Sequence, residues 1–252
     1  TNWKAVSTWT SQPPAAADLG NWHSDIFSHI RLLRITYEVV KYVDPTAFVA
    51  VGGIGYHEFL DALLRYTDNP SNGAVDNSAG FPAKGGAWFD CLNFHHYPHN
   101  GVFDVSTGKW LDQWDSDGLA MGFIIHRNNM QSVLAKYGYD GATYPQKIFI
   151  STETGVCSES SLGGSTVVGG EQLRREYALK MPLLSIKHGI VQAHWFSLHD
   201  GTGTSVYAHM GDYYSLSSAT PSTAVGLMKQ SSTAKITFKK LGLAQMSYDN
   251  TL

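Results

Sequence analysis

Charge is scarce in this chain. Asp, Glu, Lys and Arg together make up 15% of 252 residues, and the formal net charge is only −3. A nucleic-acid binder needs a basic surface to displace counterions, and no such surplus exists here. Long hydrophobic runs are missing too; nothing approaches the eighteen or so apolar residues of a membrane-spanning helix. Two cysteines, Cys91 and Cys157, cannot make a disulfide framework. A bridge between them needs Cα atoms within about 7 Å. Cys91 lies early on one predicted strand and Cys157 beyond the end of the next, so two free thiols are expected. The fold must therefore stand on its core. Apolar side chains are plentiful, at 43% of residues, with 7 Trp, 13 Tyr and 11 Phe. Burial on that scale can offset chain entropy, which excludes disorder. Low charge with abundant Gly, Ser, Thr, Trp and Tyr suits an extracellular or periplasmic protein that handles neutral polar ligands.

Periodicity predicts alternating helices and strands, with no internal repeat and no interdomain linker, hence one domain over 1–252. Between Asp25 and Val43, the residues Ile26, Phe27, Ile30, Leu33, Tyr37 and Val40 recur at three- and four-residue steps, one apolar helical stripe ended by Asp44-Pro45. A short strand follows at Ala47–Val51, closed by Gly52-Gly53, then a helix at Tyr56–Tyr66. Residues 67–87 have the composition of a surface loop. Further strands are predicted at Trp88–Tyr97, Lys147–Glu153 and Gly189–Leu198. Helices are predicted at Leu119–Tyr137 and Glu171–His188, the latter with a kink or break at Pro182. The stretch Ser231–Leu243 reads as a last helix.

Strands separated by helices make βαβ units and a parallel sheet. A complete eight-stranded α/β barrel takes roughly 250 residues, yet only four convincing strands are found, about half a barrel. In such folds the reactive side chains sit at the C-terminal ends of strands. Those ends are Gly52-Gly53, then His95-His96-Tyr97, then Glu153, then Trp195 through Asp200. Alternation places Phe149, Ser151 and Glu153 on one face and Ile148, Ile150 and Thr152 on the other, so Glu153 turns away from the isoleucines that pack on helices. His95 shares its face with Asn93 and Cys91, and His96 points the other way, toward a helix.

These strand ends resemble the clan of retaining glycoside hydrolases built on the (β/α)8 TIM barrel. Ser151-Thr152-Glu153-Thr154-Gly155 resembles the T-E-x-G end of that clan's seventh strand, His95-His96-Tyr97 the H-x-Y end of its sixth, and Phe89-Asp90 the opening of the same strand. Trp195 matches the tryptophan of the eighth strand. Asp44-Pro45 and Gly52-Gly53 match the end of the fourth helix and of the fifth strand. The resemblance covers roughly residues 25–245, and implies that the chain holds strands 5–8 with their helices. It implies Glu153 as catalytic nucleophile, with His95, Tyr97, Trp195, His199 and Asp200 binding substrate. It also implies a poly- or oligosaccharide, β-linked, as substrate, with no cofactor, metal, nucleic acid or membrane involved. The clan's acid/base glutamate ends the fourth strand, which on this alignment falls before Thr1. It is therefore expected in a segment or partner outside the chain, the N-terminal half of the same barrel.

Each of these residues also has a plainer reading. Glu153 can be a structural carboxylate, His95 a hydrogen-bonded core imidazole, and Trp195 a core aromatic. Trp110, Trp114 and Tyr207 suit either cleft walls or packing plugs. Glu58, inside a predicted helix, is a poor acid/base. The histidines lack His-x-His and His-Glu-x-x-His spacing, which weighs against a metal-dependent hydrolase. A non-catalytic carbohydrate-binding or structural protein that keeps the barrel, and a self-contained four-stranded α/β domain, are the alternatives.

Overall fold

The computed structural model describes residues 8–19, 22–68, 87–98, 101–111, 115–156 and 170–196, together with four short strands further on. It is an α/β fold that divides into two compact units, Thr1–His95 with Arg127–Ile150, and His96–His126 with Ser151–Leu252. Strands β1 (Cys91–His96), β4 (Ile148–Thr154) and β5 (Ile190–Trp195) are hydrogen-bonded in the order β1-β4-β5. The division falls near the end of β1 and within β4.

In the first unit, helix α1 (Ile26–Val43) starts at Asp25, whose side chain accepts from the Ser28 amide at 2.7 Å. That bond satisfies one of the free amides of a helix start, a cap worth about 1 kcal/mol. Ile26 and Ile30 are fully buried, each contributing about 1.5–3 kcal/mol of apolar transfer. Helix α2 (His57–Arg65) buries Leu60, Ala62, Leu63 and Leu64. It also buries Asp61, which accepts from Arg65 at 2.8 Å and pairs with Lys136 of helix α3 (Ser116–Lys136). Burial pushes the Asp61 carboxyl up, but those two cations outweigh it and leave the group below its ordinary range.

The expected strand at Ala47–Val51 is present as an irregular stretch reaching Ile54, with parallel bridges Ala50↔Cys91 and Ile54↔Phe94. The start of β4 lies beside the start of β1, through Ile148 N–H to the Asp90 carbonyl at 3.1 Å. Phe149, expected on the face of Glu153, carries the Arg127 guanidinium of α3 over its ring at 4.1 Å. Helix α1 departs from the single stripe expected. Phe27 is 51% exposed, and a second apolar row, Leu32, Ile35, Val39 and Tyr42, is exposed along its length.

In the second unit, β2 (Val102–Asp104) and β3 (Lys109–Leu111) form an antiparallel hairpin. Helix α4 (Gly170–Lys187) is followed by Gly189, whose φ of 70° permits the left-handed turn into β5. Of the kink or break expected at Pro182, there is no break: the helix runs on through it. Tyr177, Ala178, Met181 and Ser185 are buried on either side, and the Ser185 hydroxyl donates to the Met181 carbonyl at 2.8 Å. That packing outweighs one lost backbone bond. The last sheet is β6 (Tyr213–Tyr214), β7 (Met228–Gln230), β8 (Ile236–Phe238) and β9 (Ser247–Tyr248), in that order. Strand β8 overturns the helix expected there; Ile, Thr and Phe are strand formers whose χ1 stiffness disfavours helix. Among the described residues no helix is long and apolar enough to cross a membrane.

Candidate active site

In the second unit, the Tyr97 hydroxyl donates to Glu153 Oε2 at 2.6 Å. Tyr97 is the residue after β1, and Glu153 lies one residue before the end of β4, so two successive strand ends bring a phenol and a carboxylate together. At this distance the contact is a short O–H···O hydrogen bond. Both residues are half-buried. The Ser151 hydroxyl donates to the Glu153 carbonyl at 3.1 Å, tying down the backbone that carries the side chain. The Tyr97 ring meets Phe196 edge-on, centroids 6.0 Å apart.

Thr154 braces this pair. It is fully buried. Its hydroxyl donates to the His96 carbonyl at 2.9 Å and lies 2.7 Å from the Tyr177 hydroxyl on α4. Its own carbonyl accepts from the Phe196 amide at 2.7 Å. Tyr177 is itself buried, and burial pushes its phenol well above the ordinary value. Trp195, half-buried, packs against Tyr177 with ring centroids 5.6 Å apart.

The other residues singled out in the sequence are placed as follows. His95 belongs to the first unit, where its imidazole lies against Gly53. A Cβ at that position would come within 2.0 Å of His95 Nε2. Glycine is therefore required at 53 for the ring to stand where it does. His96 points toward α3, as alternation predicts, and stacks on His126 with centroids 4.4 Å apart and planes 9° from parallel. Glu58 is on α2 beside His57, 3.3 Å from its Nδ1. Trp110 is 60% exposed on β3. Cys91 is buried and free. His199, Asp200, Trp114, Tyr207 and Cys157 lie outside the described residues. Among the described residues no group of three His, Cys, Asp or Glu side chains is placed to hold a metal ion.

Thr154 and Tyr177 escaped the sequence reading. Thr154 was visible only as the residue after the glutamate. Tyr177 occupies the same helix face as Leu173 and Met181, four residues away on each side, and so reads as core.

No protein-family model and no curated protein matches the chain. Among solved structures, the fold is similar to the glycoside hydrolase family 17 β-1,3-glucanosyltransferase of Rhizomucor miehei, at 16% identity and a TM-score of 0.49, over 81% of this chain and 59% of that one. It is also similar to an endo-laminarinase from Formosa, at 13% identity and a TM-score of 0.49, over 84% of this chain and 57% of that one. A third is the GH51 α-L-arabinofuranosidase of Thermotoga petrophila, at 11% identity and a TM-score of 0.45, over 91% of this chain and 39% of that one. The chain thus spans less than two thirds of the length of each of these proteins.

Proposed function

We propose that this chain is the C-terminal part, roughly strands 5–8, of a (β/α)8-barrel glycosidase, with Glu153 as the nucleophile of a retaining mechanism. The observation that carries the reading is the 2.6 Å bond from Tyr97 to Glu153 at two successive strand ends. The motif resemblance of those ends supports it. In a retaining mechanism two carboxyl groups stand about 5–5.5 Å apart. Glu153 attacks the anomeric carbon and a glycosyl–enzyme ester forms. The bond to the leaving oxygen breaks as the acid/base carboxyl protonates that oxygen. Water, deprotonated by the same group, then cleaves the ester and restores Glu153. The hydrogen bond from Tyr97 holds the Glu153 carboxyl group in place.

On this reading the acid/base residue comes from the N-terminal half of the barrel. The exposed row Leu32, Ile35, Val39 and Tyr42 on α1 is consistent with that, since an apolar helix stripe needs an element to cover it. Trp195 offers an aromatic surface for a sugar ring, and His199 and Asp200 supply hydroxyl contacts. The substrate is a β-linked poly- or oligosaccharide, met outside the cytoplasm.

The deciding experiment compares the wild type with Glu153→Gln on chromogenic β-glycosides, assayed with the N-terminal half co-expressed. Turnover is expected to fall by about three to four orders of magnitude with the melting temperature preserved. Equal turnover in the two proteins rejects the reading. Saturable oligosaccharide binding without hydrolysis by the wild type supports the non-catalytic binder instead.

A further inference from the structure

The bonds around Thr154 form a directed chain. The Thr154 hydroxyl has one proton, and it goes to the His96 carbonyl at 2.9 Å. In the 2.7 Å contact with Tyr177, the tyrosine must therefore be the donor. The sequence of bonds is Tyr177 O–H to Thr154 Oγ1, then Thr154 O–H to the His96 carbonyl. It starts on α4, passes through β4 one residue after Glu153, and ends on β1 one residue before Tyr97. Both hydroxyls are in fully buried residues, where bonds in series reinforce one another and a missing member is costly. The same residue accepts the Phe196 amide, and Phe196 packs on the Tyr97 ring.

We propose that Thr154 and Tyr177 are positioning residues for the Tyr97–Glu153 pair. They set the separation of the two strand ends, and so the distance at which the phenol meets the carboxylate. Neither touches the reacting atoms. The inference rests on the proposed role of Glu153 and adds that the carboxylate's aim is held from the helix side of the sheet. Reaction rates are sensitive to misplacements on the scale of an ångström, whereas ground-state binding draws on many contacts.

The test uses Thr154→Val, Thr154→Ser and Tyr177→Phe, assayed beside Glu153→Gln well below the melting temperature of each. Valine keeps the shape of threonine and removes the hydroxyl; serine keeps the hydroxyl. Thr154→Val is expected to lower kcat about tenfold with KM within about twofold, Tyr177→Phe to lower it less, and Thr154→Ser to restore wild-type kcat to within about twofold. Should Glu153→Gln abolish turnover while Thr154→Val keeps the wild-type kcat, the positioning role is overturned and the nucleophile stands. A Thr154→Ser variant as slow as Thr154→Val also overturns it, because shape rather than the hydroxyl would then matter. If Glu153→Gln turns over like the wild type, the nucleophile assignment fails first and takes the positioning role with it.

Discussion

Asp90 immediately precedes β1 and Glu153 is the next-to-last residue of β4, and each accepts from a tyrosine hydroxyl, Asp90 from Tyr37 at 3.3 Å and Glu153 from Tyr97 at 2.6 Å. Their surroundings serve different ends. Asp90 also takes Lys41 at 2.8 Å and the Val49 amide at 2.8 Å, so one carboxylate joins α1, the irregular stretch and β1. Burial pushes it up, and those donors outweigh burial and leave it below the ordinary carboxylate range. That is a carboxylate committed to the fold. Glu153 takes its bond from a residue at the neighbouring strand end, with its backbone anchored through Ser151 and Thr154. Asp90 thus draws its donors from α1 and the irregular stretch beside it, whereas Glu153 draws its donor from the neighbouring strand end.

The comparison can be broken by crossing the two substitutions. Glu153→Gln should remove turnover and spare stability, the largest effect expected. Asp90→Asn should do the reverse, costing about 2 kcal/mol of folding free energy in a urea titration while kcat of the folded protein holds. Loss of stability in the first variant, or of turnover alone in the second, would erase the distinction. The acid response sharpens it. Because the folded Asp90 carboxyl sits below its ordinary value, its stabilisation is complete above about pH 4 and fades as pH falls through the folded value. The stability gap between wild type and Asp90→Asn should therefore narrow at pH 3.

A smaller effect is expected at Lys147, also near the start of a strand. Its ammonium donates to the Phe89 carbonyl at 2.7 Å and lies over the Tyr139 ring at 4.7 Å. Burial pulls it down to about 8. The unfolded chain therefore holds this proton to higher pH than the folded one, and the lysine's contribution improves between about pH 8 and its ordinary value near 10.4. Relative to Lys147→Met, the wild type should gain stability over that interval; a flat difference would contradict it. Ile35→Glu combined with Val39→Lys, on the exposed row of α1, should move the melting temperature of the chain alone by less than about 2 °C.

Much of this was legible in the sequence because the signals were local. Asp25 and the recurrence of Ile26 and Ile30 marked α1, and the apolar runs around Leu92–Phe94 and Phe149–Ile150 marked β1 and β4. Reading Tyr97 and Glu153 as strand ends put both among the site candidates, and the fold brought them into hydrogen-bond contact. What escaped depended on partners distant in the chain. Leu32, Ile35 and Val39 are ordinary helix residues until the fold leaves them exposed. Tyr177 reads as core until its hydroxyl meets Thr154, 23 residues earlier. The opposite error came at Ile236–Phe238, a strand within the stretch Ser231–Leu243 read as a helix.

The close approach of His95 to Gly53 turns one backbone position into a gauge of the imidazole's pose. In a saturation library at position 53, every clone with a side chain must evict the ring from its resting rotamer or be lost to misfolding. Survivors other than the parent would thus be a ready collection of proteins with a displaced His95, sorted by selection rather than by design.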